Sequence, residues 1–126
     1  MRLLSPQLNW EPNLMAITPA AYNISLQRRA DFSLQLAFKD GSNVAIDLTG
    51  WTVAAQAWNE NRTTKYADFA VAYTNRVTGS ITLSLTSTQT TSFPKEAYYD
   101  VLLTNPSNFK EYYLEGIIYV SEGYTG

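Results

Sequence analysis

Residues 78–103, TGSITLSLTSTQTTSFPKEAYYDVLL, carry two runs of strict alternation around a short polar turn. Ile81, Leu83 and Leu85 alternate with Thr82, Ser84 and Thr86, and further on Ala97, Tyr99, Val101 and Leu103 alternate in the same way. A period of two places each set on one face of a strand, so this stretch must bury one side of two successive strands. Thr86 suits the cap of the polar run Ser87–Ser92, and Pro94 disfavours a helical conformation at Phe93, ending the turn there. Strand, one helical turn, corner, strand describes a chain crossing between two sheets. In an antiparallel sandwich a tyrosine corner lies two residues before an inward core residue, as Tyr99 does before Val101. Simple packing within the strand accounts for the same tyrosine. On either reading the segment is expected to join the two halves of the fold.

The rest of the chain from residue 22 repeats the pattern. Tyr22, Ile24 and Leu26 alternate, and after a break at Arg28–Asp31 so do Phe32, Leu34, Leu36 and Phe38. Lys39–Asn43 has turn chemistry. Val44, Ile46 and Leu48 read as a short edge piece. Trp51, Val53, Ala55 and Ala57 form the next inward face, with Trp58 outward, and the small alanines leave room for a large neighbour. Ala67, Phe69, Val71 and Tyr73 read as one strand. Asn105–Asn108 makes the last hairpin turn, and Tyr112, Leu114, Gly116, Ile118 and Val120 are expected to face inward after it. About seven strands at roughly 8–12-residue spacing predict an antiparallel β-sandwich. Its predicted core comprises Phe32, Leu34, Leu36, Phe38, Trp51, Val53, Ile81, Leu83, Leu85, Tyr99, Val101, Leu114 and Ile118.

Residues 1–21 follow a different rule. Prolines at 6, 12 and 19 interrupt any period, yet Leu3, Leu4, Leu8, Trp10, Leu14, Met15 and Ile17 are too apolar to be left in water. The division is therefore an extended arm, 1–21, and a sandwich, 22–126. The arm is expected to lie on its own sandwich or on a neighbouring subunit, with those seven residues and the outward Trp58 as candidate interface residues. Deleting it would separate loss of assembly from loss of stability.

Chemistry is sparse. The chain of 126 residues contains neither histidine nor cysteine, which removes the commonest general base, the commonest metal ligand, disulfides and thiolate sites. Serines and threonines have no partner to activate them, and no phosphate-binding glycine motif occurs. Asp47 reads as a turn-capping side chain, Asp100 as a loop-orienting outer-face residue, and Glu111 and Glu115 as a solvated outward pair. A calcium role for Asp40, Asn43 and Asp47 lacks a loop pattern, so turn roles are preferred. A net charge of −2 and a pI near 5.0 give no electrostatic case for nucleic acid, and the adjacent Arg28 and Arg29 read as a solvated strand end. Ser5 and Pro6 cut short any leader-like apolar run, and no stretch has membrane-span length, so a soluble chain made without export is expected and the sequons at Asn23 and Asn61 read as chance. The expectation is a non-enzymatic protein with no cofactor, no nucleic acid and no membrane. Three tryptophans and nine tyrosines keep carbohydrate binding as a rival, with Trp58 and Trp10 as its stacking platforms.

The run YNISLQRRADFSLQLAFKDGSNVAIDLTGWTVAAQ, then GSITLSLTSTQTTSFPKEAYYDVLLT and EGIIYVSEG, resembles small immunoglobulin-like domains of tailed-bacteriophage virion proteins, over residues 22–123. The features that carry the resemblance are Asp31-Phe32, the turn Ile46–Gly50, the strand Gly79–Leu83, Tyr99-Asp100-Val101 and Glu115-Gly116. It implies a single immunoglobulin-like sandwich in a structural subunit that assembles with other virion proteins, in several copies, at the tail, baseplate or fibre attachment. The implied location is the virion, assembled in the host cytoplasm. Capsid decoration is the alternative within that class, and a carbohydrate-binding module the alternative outside it.

Overall fold

The computed structural model describes residues 3–4 and 19–124. The alternating runs become strands, in the order β1 (Leu3–Leu4), β2 (Ala20–Ala21), β3 (Ile24–Gln27), β4 (Phe32–Lys39), β5 (Thr52–Trp58), β6 (Lys65–Asp68), β7 (Ala70–Asn75), β8 (Ser80–Leu85), α1 (Ser87–Thr91), β9 (Glu96–Thr104) and β10 (Lys110–Ser121). They build two sheets. One runs β1-β4-β8-β7; the other runs β2-β10-β9-β5-β6, with β3 also paired to β10. The protein is thus the expected all-β sandwich. Its long ladders are antiparallel, but β2 and β3 run parallel to β10, and β1 runs parallel to the end of β4. Leu3 and Leu4 are the residues of β1, paired with Phe38 and Lys39. Leu8, Trp10, Leu14, Met15 and Ile17 lie outside the described residues.

One core fills the space between the sheets. Leu36, Phe38, Ile81, Leu83, Leu85, Val53, Tyr99, Val101, Leu114 and Ile118 are buried, and Phe32, Leu34 and Trp51 pack half-buried against them. The segment 78–103 joins the sheets as its pattern requires: β8 lies in one, β9 in the other, and α1 turns the corner. Thr86 accepts the N–H of Gln89, and the Gln89 side chain accepts that of Thr86, a reciprocal cap. The helix is also tied to the loop before β4. Asp31 accepts the N–H of Ser87 at 2.7 Å, and the buried Thr90 hydroxyl donates to the Ala30 carbonyl at 2.9 Å.

Tyr99 makes neither a local corner bond nor a purely packed contact. Its hydroxyl donates at 2.6 Å to the carbonyl of Tyr22, which lies 77 residues upstream between β2 and β3. Gly116 makes the approach possible: a Cβ there would stand 1.9 Å from that same carbonyl oxygen. Burial, with Tyr22 as a lesser electrostatic influence, pushes the Tyr99 hydroxyl far above the usual phenol range.

Three sequence expectations are corrected. The run Ala67–Tyr73 is two strands: β6 pairs with β5 in one sheet and β7 with β8 in the other. Tyr112 faces outward, because a bulge between Tyr112 and Leu114 adds one residue to β10 and reverses its parity. Tyr113 takes the inward place instead, edge-on to Phe38 at 6.0 Å and to Trp51 at 6.5 Å. Burial raises its hydroxyl to a pKa of about 12. The same bulge separates the two glutamates: Glu111 lies opposite the buried Leu103, on the inner side, whereas Glu115 lies opposite Asp100 on the outer side. Burial accordingly raises the Glu111 carboxyl above its ordinary value.

Candidate functional site: the outer face of the six-stranded sheet

Strands β5, β9 and β10 carry their cores inward, so the alternate residues form rows across the opposite face. Cross-strand partners on one face are direct neighbours, with Cβ atoms about 4.5–5.5 Å apart. One row reads Asp68, Gln56, Asp100, Glu115, Ala21 across β6, β5, β9, β10 and β2. The next reads Lys65, Trp58, Tyr98, Ile117. A third reads Ala54, Leu102, Tyr112. An acid and amide row therefore lies between an aromatic row and an apolar one. Together they floor a cleft of about 540 Å³, with Trp58, Arg62, Tyr98, Asp100, Glu115 and Ile117 among its lining residues.

The loop after β5 builds one wall. Asn59 accepts the N–H groups of Thr63 and Thr64 at 2.8 and 2.9 Å, and its backbone carbonyl accepts the N–H of Arg62. That turn holds Arg62 in the left-handed region, at φ 57°, and sets its guanidinium 4.8 Å from the centre of the Trp58 ring. The Trp58 indole N–H donates to Gln56 Oε1 at 3.0 Å, and Gln56 Nε2 in turn donates to Asp68 at 2.9 Å. Lys65 completes this outer chain with an ion pair to Asp68 at 3.0 Å. The Lys65 bond, ahead of that from Gln56, holds the Asp68 carboxyl below its ordinary value.

Asp100 and Glu115 sit in a different environment. Neither side chain has a hydrogen bond or an ion-pair contact among the described residues. Burial first, then the neighbouring Glu115 charge, raises the Asp100 carboxyl above its ordinary value, and the Arg62 charge pulls it partly back. Like charges directly opposite one another on a sheet destabilise it. Tyr98 donates to Glu96 at 3.3 Å, and burial followed by the Glu60 and Glu96 charges raises its hydroxyl.

The structure distributes the sequence candidates unevenly. Trp58 is outward as expected, half-buried, and lines the cleft. Asp100 is outward, but it faces a cleft rather than orienting a loop. Asp47 caps its turn, accepting both the N–H and the hydroxyl of Thr49 at 2.9 and 2.6 Å, which hold its carboxyl low. Asp40 likewise accepts the N–H groups of Ser42 and Val44. Arg28 and Arg29 both pair with Glu122, so they clamp the end of β10 rather than lying free in solvent. Sequence reasoning did not bring forward Tyr98, Arg62 or Tyr112. The parity of β9 pointed Tyr98 outward with Asp100; the bulge that exposes Tyr112 left no such signal.

Among the described residues no group of three or more carboxylates could hold a metal ion, and no helix is long and apolar enough to cross a membrane. The chain matches no protein-family model and no curated protein.

Proposed function

We propose that this chain is a non-enzymatic structural subunit of a tailed-phage particle, joining other virion proteins at the tail, baseplate or fibre attachment. The setting rests on the resemblance of residues 22–123 to immunoglobulin-like virion domains. The mode of action rests on one observation, the side-chain composition of the outer sheet face. Trp58, Tyr98, Tyr112 and Ile117, with Arg62, form the cluster of aromatic residues and arginine that concentrates at protein contacts. Tyr112 and Tyr119 are 48% and 43% exposed on β10, more than internal packing requires. The absence of histidine and cysteine from the sequence supports a role in contact rather than catalysis.

Ile117→Glu and Tyr112→Glu place a charge on that face without entering the core. The expected result is a folded chain that fails to join the particle. A reconstruction of the particle would locate the subunit and distinguish tail from capsid. Normal incorporation of both variants would refute this face as the contact.

One observation favours a second reading, carbohydrate binding. Trp58 stands in a cleft beside Gln56, Asp100 and Glu115, groups that can bond sugar hydroxyls. Saturable binding of a soluble glycan by the isolated chain, lost in Trp58→Ala, would establish it.

A further inference from the structure

We infer that the cleft on the outer sheet face receives an arginine side chain of a partner protein, held between the Trp58–Tyr98 row and the Asp100–Glu115 pair. The inference rests on the contact reading above and names the chemistry of the contact.

Three features of the cleft lead to it. The first is charge. Glu60, Asp100 and Glu115 line the cleft with Arg62 as counter-charge, leaving an excess of negative charge in a recess of about 540 Å³. The second is the arrangement of that charge. Asp100 and Glu115 are direct cross-strand partners, neither bonded through its side chain to any described residue. Two adjacent carboxylates offer parallel acceptors to a planar fork of N–H donors, the geometry in which guanidinium groups bind best. The third is the aromatic wall. The chain's own Arg62 guanidinium lies 4.8 Å from the Trp58 ring, the kind of cation–aromatic contact an arginine makes with such a wall. The next row brings Tyr98 and Ile117 alongside, giving the aliphatic stem of an incoming arginine an apolar surface to lie on.

The occupant is therefore cationic and planar, with an apolar stem. An acidic segment would meet the like charges of Asp100 and Glu115. A neutral sugar would use the aromatic wall but leave the excess charge uncompensated.

The test titrates three probes into the isotopically labelled full chain and follows backbone amides and the Trp58 indole by NMR. The probes are acetyl-Gly-Arg-Gly-amide, acetyl-Gly-Glu-Gly-amide and methyl β-glucopyranoside. The arginine peptide should give saturable shifts at Trp58, Tyr98, Asp100 and Glu115, with a dissociation constant on the order of millimolar. The glutamate peptide and the glucoside should give none. Raising the salt should weaken the response, because the pair is only partly shielded from solvent. Asp100→Asn combined with Glu115→Gln should weaken it about tenfold, equivalent to about 1.4 kcal/mol. Since the double variant removes a repulsion, it should fold; the salt series on the unaltered chain gives an independent readout. Shifts elsewhere, no saturation, an unchanged response in the double variant, or occupation by the glucoside would each overturn the inference. The contact reading is judged separately by the incorporation of Ile117→Glu and Tyr112→Glu. If these variants are excluded from particles while the arginine peptide does not bind, the contact stands and the arginine does not.

Discussion

Gly116→Ala is the sharpest test of how the N-terminal strands are locked to the sandwich. Gly116 is not in the left-handed region, so space alone requires a glycine there. A Cβ at this position would lie 1.9 Å from the Tyr22 carbonyl oxygen, 2.7 Å from its carbon and 3.1 Å from Tyr99 Cε1. Two of those neighbours are backbone, so the strand must move rather than a side chain. Displacing the Tyr22 carbonyl breaks its bond from the Tyr99 hydroxyl and disturbs the adjacent bond from the Tyr22 N–H to the Glu115 carbonyl. The Tyr99 hydroxyl then loses its acceptor in a site where the residue is only 4% exposed. A buried polar group left unsatisfied costs about 1–3 kcal/mol, and overpacking adds about 1–3 kcal/mol. The expected loss is therefore about 2–6 kcal/mol, a large share of the roughly 5–15 kcal/mol that stabilises an ordinary domain. Urea unfolding reads it as a fall in midpoint at constant slope. Tyr99→Phe removes the donor alone and should cost about 1–2 kcal/mol. In the Gly116→Ala background the Tyr99→Phe change should cost nothing or restore part of the loss, because it removes the hydroxyl left without an acceptor. A Gly116→Ala penalty below about 0.5 kcal/mol, or full additivity of the two changes, would refute the lock.

Three further outcomes follow from the same structure. Leu36→Ala, at a site with no solvent exposure, should lower stability by about 2–5 kcal/mol in a chemical melt, and a loss under about 1 kcal/mol would contradict its place in the core. Thr90→Val keeps the shape but removes the bond to the Ala30 carbonyl; a cost of about 1–2 kcal/mol, with hydrogen exchange quickening first around α1 and the loop before β4, is expected. Asp100→Asn should raise the unfolding midpoint at neutral pH. The folded-state pKa of Asp100 lies above its unfolded value, so its favourable contribution is present in full below the unfolded pKa and is lost as pH rises through the folded one. The advantage of the asparagine should accordingly shrink as pH falls into the carboxylate range, and a gain constant from pH 3 to pH 8 would contradict this origin.

What the sequence disclosed, and what it hid, follows from the physics of alternation. A period of two identifies the face of a strand but carries no information about the strand beside it. The inward sets of β4, β8 and β9 were therefore legible, and they are buried together. The outward set Tyr98, Asp100 and Leu102 was equally legible as a face. That Gln56 and Trp58 of β5 lie against Asp100 and Tyr98, and Glu115 and Ile117 of β10 against them on the other side, is a matter of pairing, and the cleft exists only through that pairing. The split of Ala67–Tyr73 was hidden for a related reason. Both sheets direct their inner faces to one core, so a chain passing from β6 to β7 keeps its parity through the buried Phe69, whose N–H bonds to the Ala55 carbonyl at the crossing. The bulge in β10 is the opposite case, a change of parity under an uninterrupted apolar run. Tyr112, Tyr113 and Leu114 are consecutive and all large, so either register supplies an inward side chain, and only the pairing of Tyr112 with Leu102 and Leu114 with Val101 reveals the extra residue. That one residue has three consequences at once. It seats Tyr113 against Phe38 and Trp51, turns Tyr112 out to the cleft, and puts Glu111 on the inner side opposite Leu103. With Leu114, Gly116 and Ile118 inward, Glu115 stands opposite Asp100 by regular alternation, so the paired carboxylates of the cleft follow from the pattern of β10 and its pairing with β9, and only the apolar row, through Tyr112, depends on the local irregularity.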